Sequence, residues 1–147
     1  MSFYRSTRNG LVIAMVLVAG VAYAKQGVTD PQVKARQEVM GIIATNTKTL
    51  GEMAGGKIPF DATAAASAKA ALAAAAAEVP AKFEPQATDP LTEAKPEVWT
   101  NWDQFVAKSE ALLKAAEAVD TASPETIGAG MGAIGGACKD CHSTFRM

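Results

Sequence analysis

Residues 62 to 79 read ATAAASAKAALAAAAAEV. A run so dominated by alanine leaves little choice of secondary structure. Alanine gives up no side-chain entropy in a helix and lacks the branched or aromatic bulk that strands pack. A helix of such small side chains also lets a neighbouring helix come close. The rest of the chain agrees with this beginning. Ala, Glu, Lys, Gln and Leu dominate, and no stretch alternates apolar and polar residues as a half-buried strand does.

Turn residues divide the chain into four helical segments. The first starts at Asp30-Pro31, a capping carboxylate followed by a proline at the first helical position, and runs to about Met53 before Gly55-Gly56. Val33, Met40, Ile43, Thr47 and Leu50 form its apolar stripe. After the loop GGKIPFD, Asp61 caps the alanine-rich segment, which Pro80 is expected to end. Residues 81–97, with Pro85, Pro90 and Pro96, read as a long and partly ordered crossover. The third segment spans Trp99 to Asp120, with Trp102, Phe105, Val106, Ser109, Leu112, Leu113 and Ala116 on one face. Trp99 and Trp102 serve either as core or as a dimer face. Ser123-Pro124-Glu125 opens the fourth segment, which runs to the terminus with Ile127, Met131, Ile134, Cys138, Cys141, His142 and Phe145 inward. Its glycines, at 128, 130, 132, 135 and 136, each cost roughly 1 kcal/mol relative to alanine, and suggest a bulky group against that helix. The expected fold is all-α, an antiparallel four-helix bundle with one small core.

The first 24 residues stand apart from this bundle. Arg5 and Arg8 precede an apolar run of 12 residues, Leu11 to Ala22, and a small-x-small site, Ala22-Tyr23-Ala24. That is the pattern of a secretory signal peptide. The run falls short of the ~20 residues of a spanning helix, so no stable membrane anchor is expected after cleavage at Ala24. Ser6-Thr7 between the arginines excludes a twin-arginine signal. The expected domains are therefore a signal peptide, 1–24, and a bundle, 25–147, placed in the periplasm. Without Arg5 and Arg8, 12 of the 14 basic residues remain against 15 acidic ones, a net charge of −3. With no basic patch and few aromatics, nucleic acid is not an expected partner.

The strongest chemical ligands lie together at the end. Cys138-Lys139-Asp140-Cys141-His142 holds both cysteines and the only histidine of the chain. In an exported protein a disulfide is the ordinary expectation, but a CxxC bridge closes too small a loop to constrain the unfolded chain. A thioredoxin-like pair sits near a βαβ pattern, which is absent from this sequence. A structural zinc site needs four ligands, and no second Cys/His pair exists. Cys-x-x-Cys-His is, however, the attachment sequence for haem c. Two thiols on one helical turn form thioethers with the two vinyl groups of a porphyrin, and the next residue, His142, binds the iron. A second histidine is not available for the sixth position. Among Met40, Met53, Met131 and Met147, the best placed is Met40, mid-helix on an inward stripe, although methionine also fills cores. Met53 is expected at a frayed helix end.

A haem motif at the end of a four-helix chain, closing as CHSTFR, resembles the class II cytochromes c, that is, cytochrome c' and the cytochrome c-556 type. KARQEVM is similar to the first-helix signature of that family, KIPFDA to its first loop, KPEVW to the entry of its third helix, and GACKDCHSTFR to its haem-binding end. The resemblance covers the whole mature chain. It implies that Arg36 lies beside the haem propionates, that Met40 points at the distal face of the iron, and that Arg146 sits beside the axial histidine and acts on its electrostatics. It also implies pairing into a homodimer through the first two helices. His142 and Arg146 are in any case i,i+4 neighbours, and an arginine at a helix C-terminus suits the helix dipole.

Three functions follow. With Met40 as sixth ligand, the protein is a low-spin one-electron carrier that serves a redox partner protein. With Met40 off the iron, it is a high-spin protein that binds nitric oxide or carbon monoxide. An enzyme such as a peroxidase would want a distal acid–base group, and the chain has no second histidine. The expectation is an electron carrier and not an enzyme.

Overall fold

Each long helix begins where a side-chain oxygen reaches a free backbone N–H. In the computed structural model, which describes residues 27–147, Asp30 accepts from the N–H groups of Gln32 and Val33 at 2.8 and 3.0 Å and starts α1, Pro31–Ala54. Asp61 accepts from Ala64 at 2.8 Å and starts α2, Ala62–Phe83. A one-turn helix, α3 (Glu97–Thr100), leads through Asn101 into α4, Trp102–Glu117. Ser123 and Thr126 cap α5, Pro124–Phe145, reciprocally: each side-chain oxygen accepts from the other's N–H. The expected signal peptide, 1–24, lies outside the described residues.

The four long helices form an antiparallel bundle. α1 packs on α2 and α5, α2 on α4, and α4 on α5, which closes the ring. One contiguous core fills it. Val39, Ile43 and Leu50 come from α1, Leu72 and Val79 from α2, Phe105 from α4, and Ile127 and Ile134 from α5. Each such side chain contributes about 1.5–3 kcal/mol when fully buried. On α2 the buried positions are Ala65, Ala68, Leu72, Ala75, Ala76, Val79 and Phe83, a stripe with steps of three and four.

Several expectations change. α2 does not stop at Pro80 but runs through it to Phe83. Proline inside a helix costs about 3 kcal/mol, and tertiary contacts offset it here. Phe83 is buried against Phe105, with ring centroids 5.1 Å apart, and its carbonyl accepts from Trp99 Nε1 at 2.7 Å. The crossover is tied down along its length, as described below. The third segment is broken at Asn101, whose φ of −124° and ψ of 46° leave the helical region, and α4 ends at Glu117 rather than Asp120. On α1 the stripe is Val33, Arg36, Val39, Ile43, Leu50 and Met53, with Met40 and Thr47 only partly buried. Met53 is a core residue, 4 % exposed, and not part of a frayed end. Both tryptophans pack against the core.

Candidate haem-binding site

α5 carries the attachment motif on a helix held at both ends. Ile127 and Ile134 anchor its first half, and Phe145 anchors its last turn, edge-on to Phe105 with ring centroids 5.3 Å apart. Cys138 and Cys141 stand one turn apart and are half-buried against the core cluster. Between them, Asp140 points outward and receives Lys108 Nζ from α4 at 2.5 Å, which pins the motif to its neighbour.

The electrostatics of these groups separate the readings of the motif. Burial raises both thiol pKa values above the ordinary one, with Lys108 opposing it at Cys141. Reactive redox cysteines show the reverse shift, so these are neutral, weakly nucleophilic thiols. They are not joined to each other. Among the described residues no three His, Cys, Asp or Glu groups converge to hold a metal ion, as a zinc site would need. Burial also lowers the His142 pKa, and Arg146 lowers it further while Glu93 opposes. His142 is therefore a neutral imidazole at pH 7, with a free nitrogen lone pair to offer iron.

α1 supplies the facing side. Met40 is partly buried against the same core cluster as Cys138, Cys141 and Met131. One turn before it lies Arg36, 2 % exposed. Its guanidinium donates from Nη1 to the Ala87 carbonyl at 3.1 Å and from Nη2 to the Pro85 carbonyl. The Trp99 and Phe83 rings lie 4.8 and 5.5 Å from it. Burial lowers its pKa and Asp30 opposes, and an arginine remains charged under either influence. Its Nε and the Thr47 Oγ1 are buried without partners. These two orphan polar atoms flank Met40 along α1, so this face suits a large apolar group that has an acidic edge.

The crossover is fastened beside this face. Asp89 accepts from the N–H groups of Thr29, Asp30 and Leu91 and from the Thr29 hydroxyl, at 2.8–3.1 Å. Those bonds, led by the one from Leu91, hold its carboxyl down at about 2. Gln37 reaches the Leu91 carbonyl at 3.1 Å. Past Phe145 the chain leaves the helix, and Arg146 pairs with Ala94 in an isolated antiparallel bridge while its side chain meets Glu93. Arg146 is thus the C-cap of α5 and no longer on the helix, four positions past His142, with its guanidinium turned to the crossover. Sequence reasoning missed Asp89, Glu93 and Lys108. Their partners lie 60, 53 and 32 residues away, and no spacing rule reaches so far.

The glycines of α5 only partly meet the expectation of a close neighbour. A Cβ on Gly130 would sit 3.0 Å from Val119, but one on Gly132, Gly135 or Gly136 meets nothing within 4 Å among the described residues.

Comparison with known proteins agrees with this assembly. A family model described as Cytochrome C' matches residues 31–146. A cytochrome c' of Pararhodospirillum photometricum is 37 % identical over 126 residues, which cover 80 % of this chain and 97 % of that one. A cytochrome c-556 of Agrobacterium fabrum is 31 % identical over 134 residues, covering 89 % and 88 %. The solved nitric oxide complex of a variant cytochrome c' from Alcaligenes xylosoxidans superimposes with a TM-score of 0.68 at 25 % identity, covering 78 % of this chain and 93 % of that one.

Proposed function

The chain belongs to the cytochrome c' family, and from that premise we propose that it is an exported one-electron carrier whose iron is held by His142 and Met40. The family binds one haem c covalently through two cysteines, and Cys138 and Cys141 are the only cysteines of this chain. When bound, that group supplies an iron that cycles between two oxidation states one electron apart. The protein's own residues hold it and set its surroundings. Cys138 and Cys141 provide the thioethers, His142 provides a neutral imidazole to the metal, and Arg36 answers the acidic edge with a buried cation whose Nε–H has no partner.

The observation that carries the reading is the position of Met40. It borders the same core as the two thiols, from the opposing helix. The other sulfurs are worse placed. Met53 is enclosed at the far end of α1, Met131 shares α5 with His142, and Met147 is 70 % exposed at the terminus. A thioether opposite histidine favours the reduced iron and raises the potential. The visible spectrum tests this. A low-spin spectrum with a weak sulfur–iron band at long wavelength, lost in Met40→Ala, is expected. A high-spin spectrum that Met40→Ala leaves unchanged contradicts it.

The second reading keeps Met40 as a plug over an open iron position, so that the protein binds nitric oxide or carbon monoxide. The nitric oxide complex of the Alcaligenes relative favours it. Neither reading is an enzyme; a peroxidase would want a distal acid–base group, and the one histidine of the chain is taken here as the iron ligand.

The place of work is the periplasm, reached by a signal peptide over 1–24. No helix among the described residues is long and apolar enough to cross a membrane. The chain pairs with a second copy through α1 and α2. Support comes from Ile42, 48 % exposed, beside a shallow groove floored by Val39, Ala71, Ala74 and Ala75 with Glu38 and Lys82 on its rim. A redox partner protein supplies or takes the electron.

A further inference from the structure

What fixes the last turn of α5, and with it His142, lies outside the haem motif. Arg146 N donates to the His142 carbonyl at 3.0 Å, and at Arg146 the chain turns extended, with φ −111° and ψ 138°. Lys95 N donates to the Phe145 carbonyl and Met147 N to the Glu93 carbonyl, both at 2.9 Å. Two crossover residues, Lys95 and Glu93, thus hold two tail residues, Phe145 and Met147, by backbone bonds, with Ala94 opposite Arg146 between them. The Arg146 guanidinium then folds onto the same segment, with Nε and Nη2 at 2.6 and 2.5 Å from one carboxylate oxygen of Glu93.

An exposed ion pair ordinarily contributes little to stability, because ordering two long side chains cancels most of the Coulomb gain. The Arg146 and Glu93 side chains are 51 % and 60 % exposed, so that expectation applies to folding here. It does not apply to the direction in which the cation points. The backbone of Arg146 is fixed one turn from His142, and only its guanidinium can choose a place. Glu93 makes that choice.

We propose that Glu93 is a positioning residue: by holding the guanidinium of Arg146 against the crossover, it fixes the charge that the iron's histidine ligand feels and so tunes the midpoint potential. The proposal rests on His142 as iron ligand but is independent of Met40. It also makes the crossover a working part of the site rather than a connector.

The test uses the haem-loaded protein as wild type, Glu93→Gln, Arg146→Gln and the double variant, with midpoint potentials from spectroelectrochemistry, chain masses, and hydrogen exchange at the Met147 amide. Glu93→Gln removes the counter-charge and frees the cation, and both favour reduced iron, so the potential moves positive. That shift is expected to be about twice as large with Arg146 present as in the Arg146→Gln background, the signature of two residues acting together. Glu93→Asp keeps the charge and loses reach, so it gives a smaller positive shift. Equal shifts from Glu93→Gln in the two backgrounds, with none from Glu93→Asp, overturn the proposal in favour of a simple through-space charge. Faster exchange at Met147 with an unmoved potential overturns it in favour of a tail anchor. A wild-type chain with the mass of bare polypeptide defeats the haem reading itself, a failure plainly distinct from the other two.

Discussion

Arg36 and Asp89 carry opposite charges, and each is committed to backbone rather than to the other. Arg36 holds the Pro85 and Ala87 carbonyls, and Asp89 gathers N–H groups from the start of α1. Together they bind one crossover to one helix N-terminus. The Asp89 carboxyl titrates at about 2, below its ordinary 3.8. A depressed acid stabilises the fold at pH values above its unfolded pKa and loses that contribution as pH falls through the folded one. Stability should therefore drop between pH 4 and 2. In Asp89→Asn, urea midpoints measured across that interval should be lower at pH 5 and nearly flat in the acid range. A wild-type slope retained in the variant would assign the acid sensitivity elsewhere. That Cys138, Cys141 and His142 share one stretch of helix was legible, because adjacency in sequence is adjacency on a helix turn. Arg36 was named through resemblance alone, and Arg146 through resemblance together with its i,i+4 spacing from His142. Asp89 was illegible, because a lone aspartate before a proline looks the same whether it faces solvent or a helix start sixty residues back.

Among the elements, helix starts were written more plainly than helix ends. Asp30, Asp61 and Ser123 each cap where their residue type says they should, since a cap is decided within three residues. The end of α2 was not legible, because Phe83 and Trp99 carry the helix past Pro80 through contacts that form only in the folded bundle. The glycines illustrate the same division. Gly130 meets Val119 at 3.0 Å, whereas Gly41, also mid-helix, faces open space. Gly130→Ala forces α5 away from Val119 and should destabilise by about 1–3 kcal/mol, an overpacking cost that exceeds its gain in helix propensity. Gly41→Ala should stabilise by about 0.5–1 kcal/mol. Chemical denaturation of the two variants side by side checks the contrast. If both changed stability in the same direction, helix propensity and not close packing would explain the glycines of this bundle.

For the whole molecule, a ring of four helices around one core leaves the outer faces of α1 and α2 next to each other, with Ile42 as their apolar centre. Ile42→Arg should convert a dimer to a monomer in sedimentation experiments while leaving the visible spectrum unchanged. A wild-type protein that sediments as a monomer would remove the pairing. The same architecture sets Met40 and the two thiols on neighbouring helices around one core cluster. Every role given to these residues depends first on haem being joined to α5. The decisive measurement is the mass of the denatured protein, produced in cells able to attach haem c and compared with Cys138→Ala/Cys141→Ala. One haem per wild-type chain that survives denaturation is expected, and none on the double variant. A wild-type chain no heavier than its polypeptide would contradict this expectation.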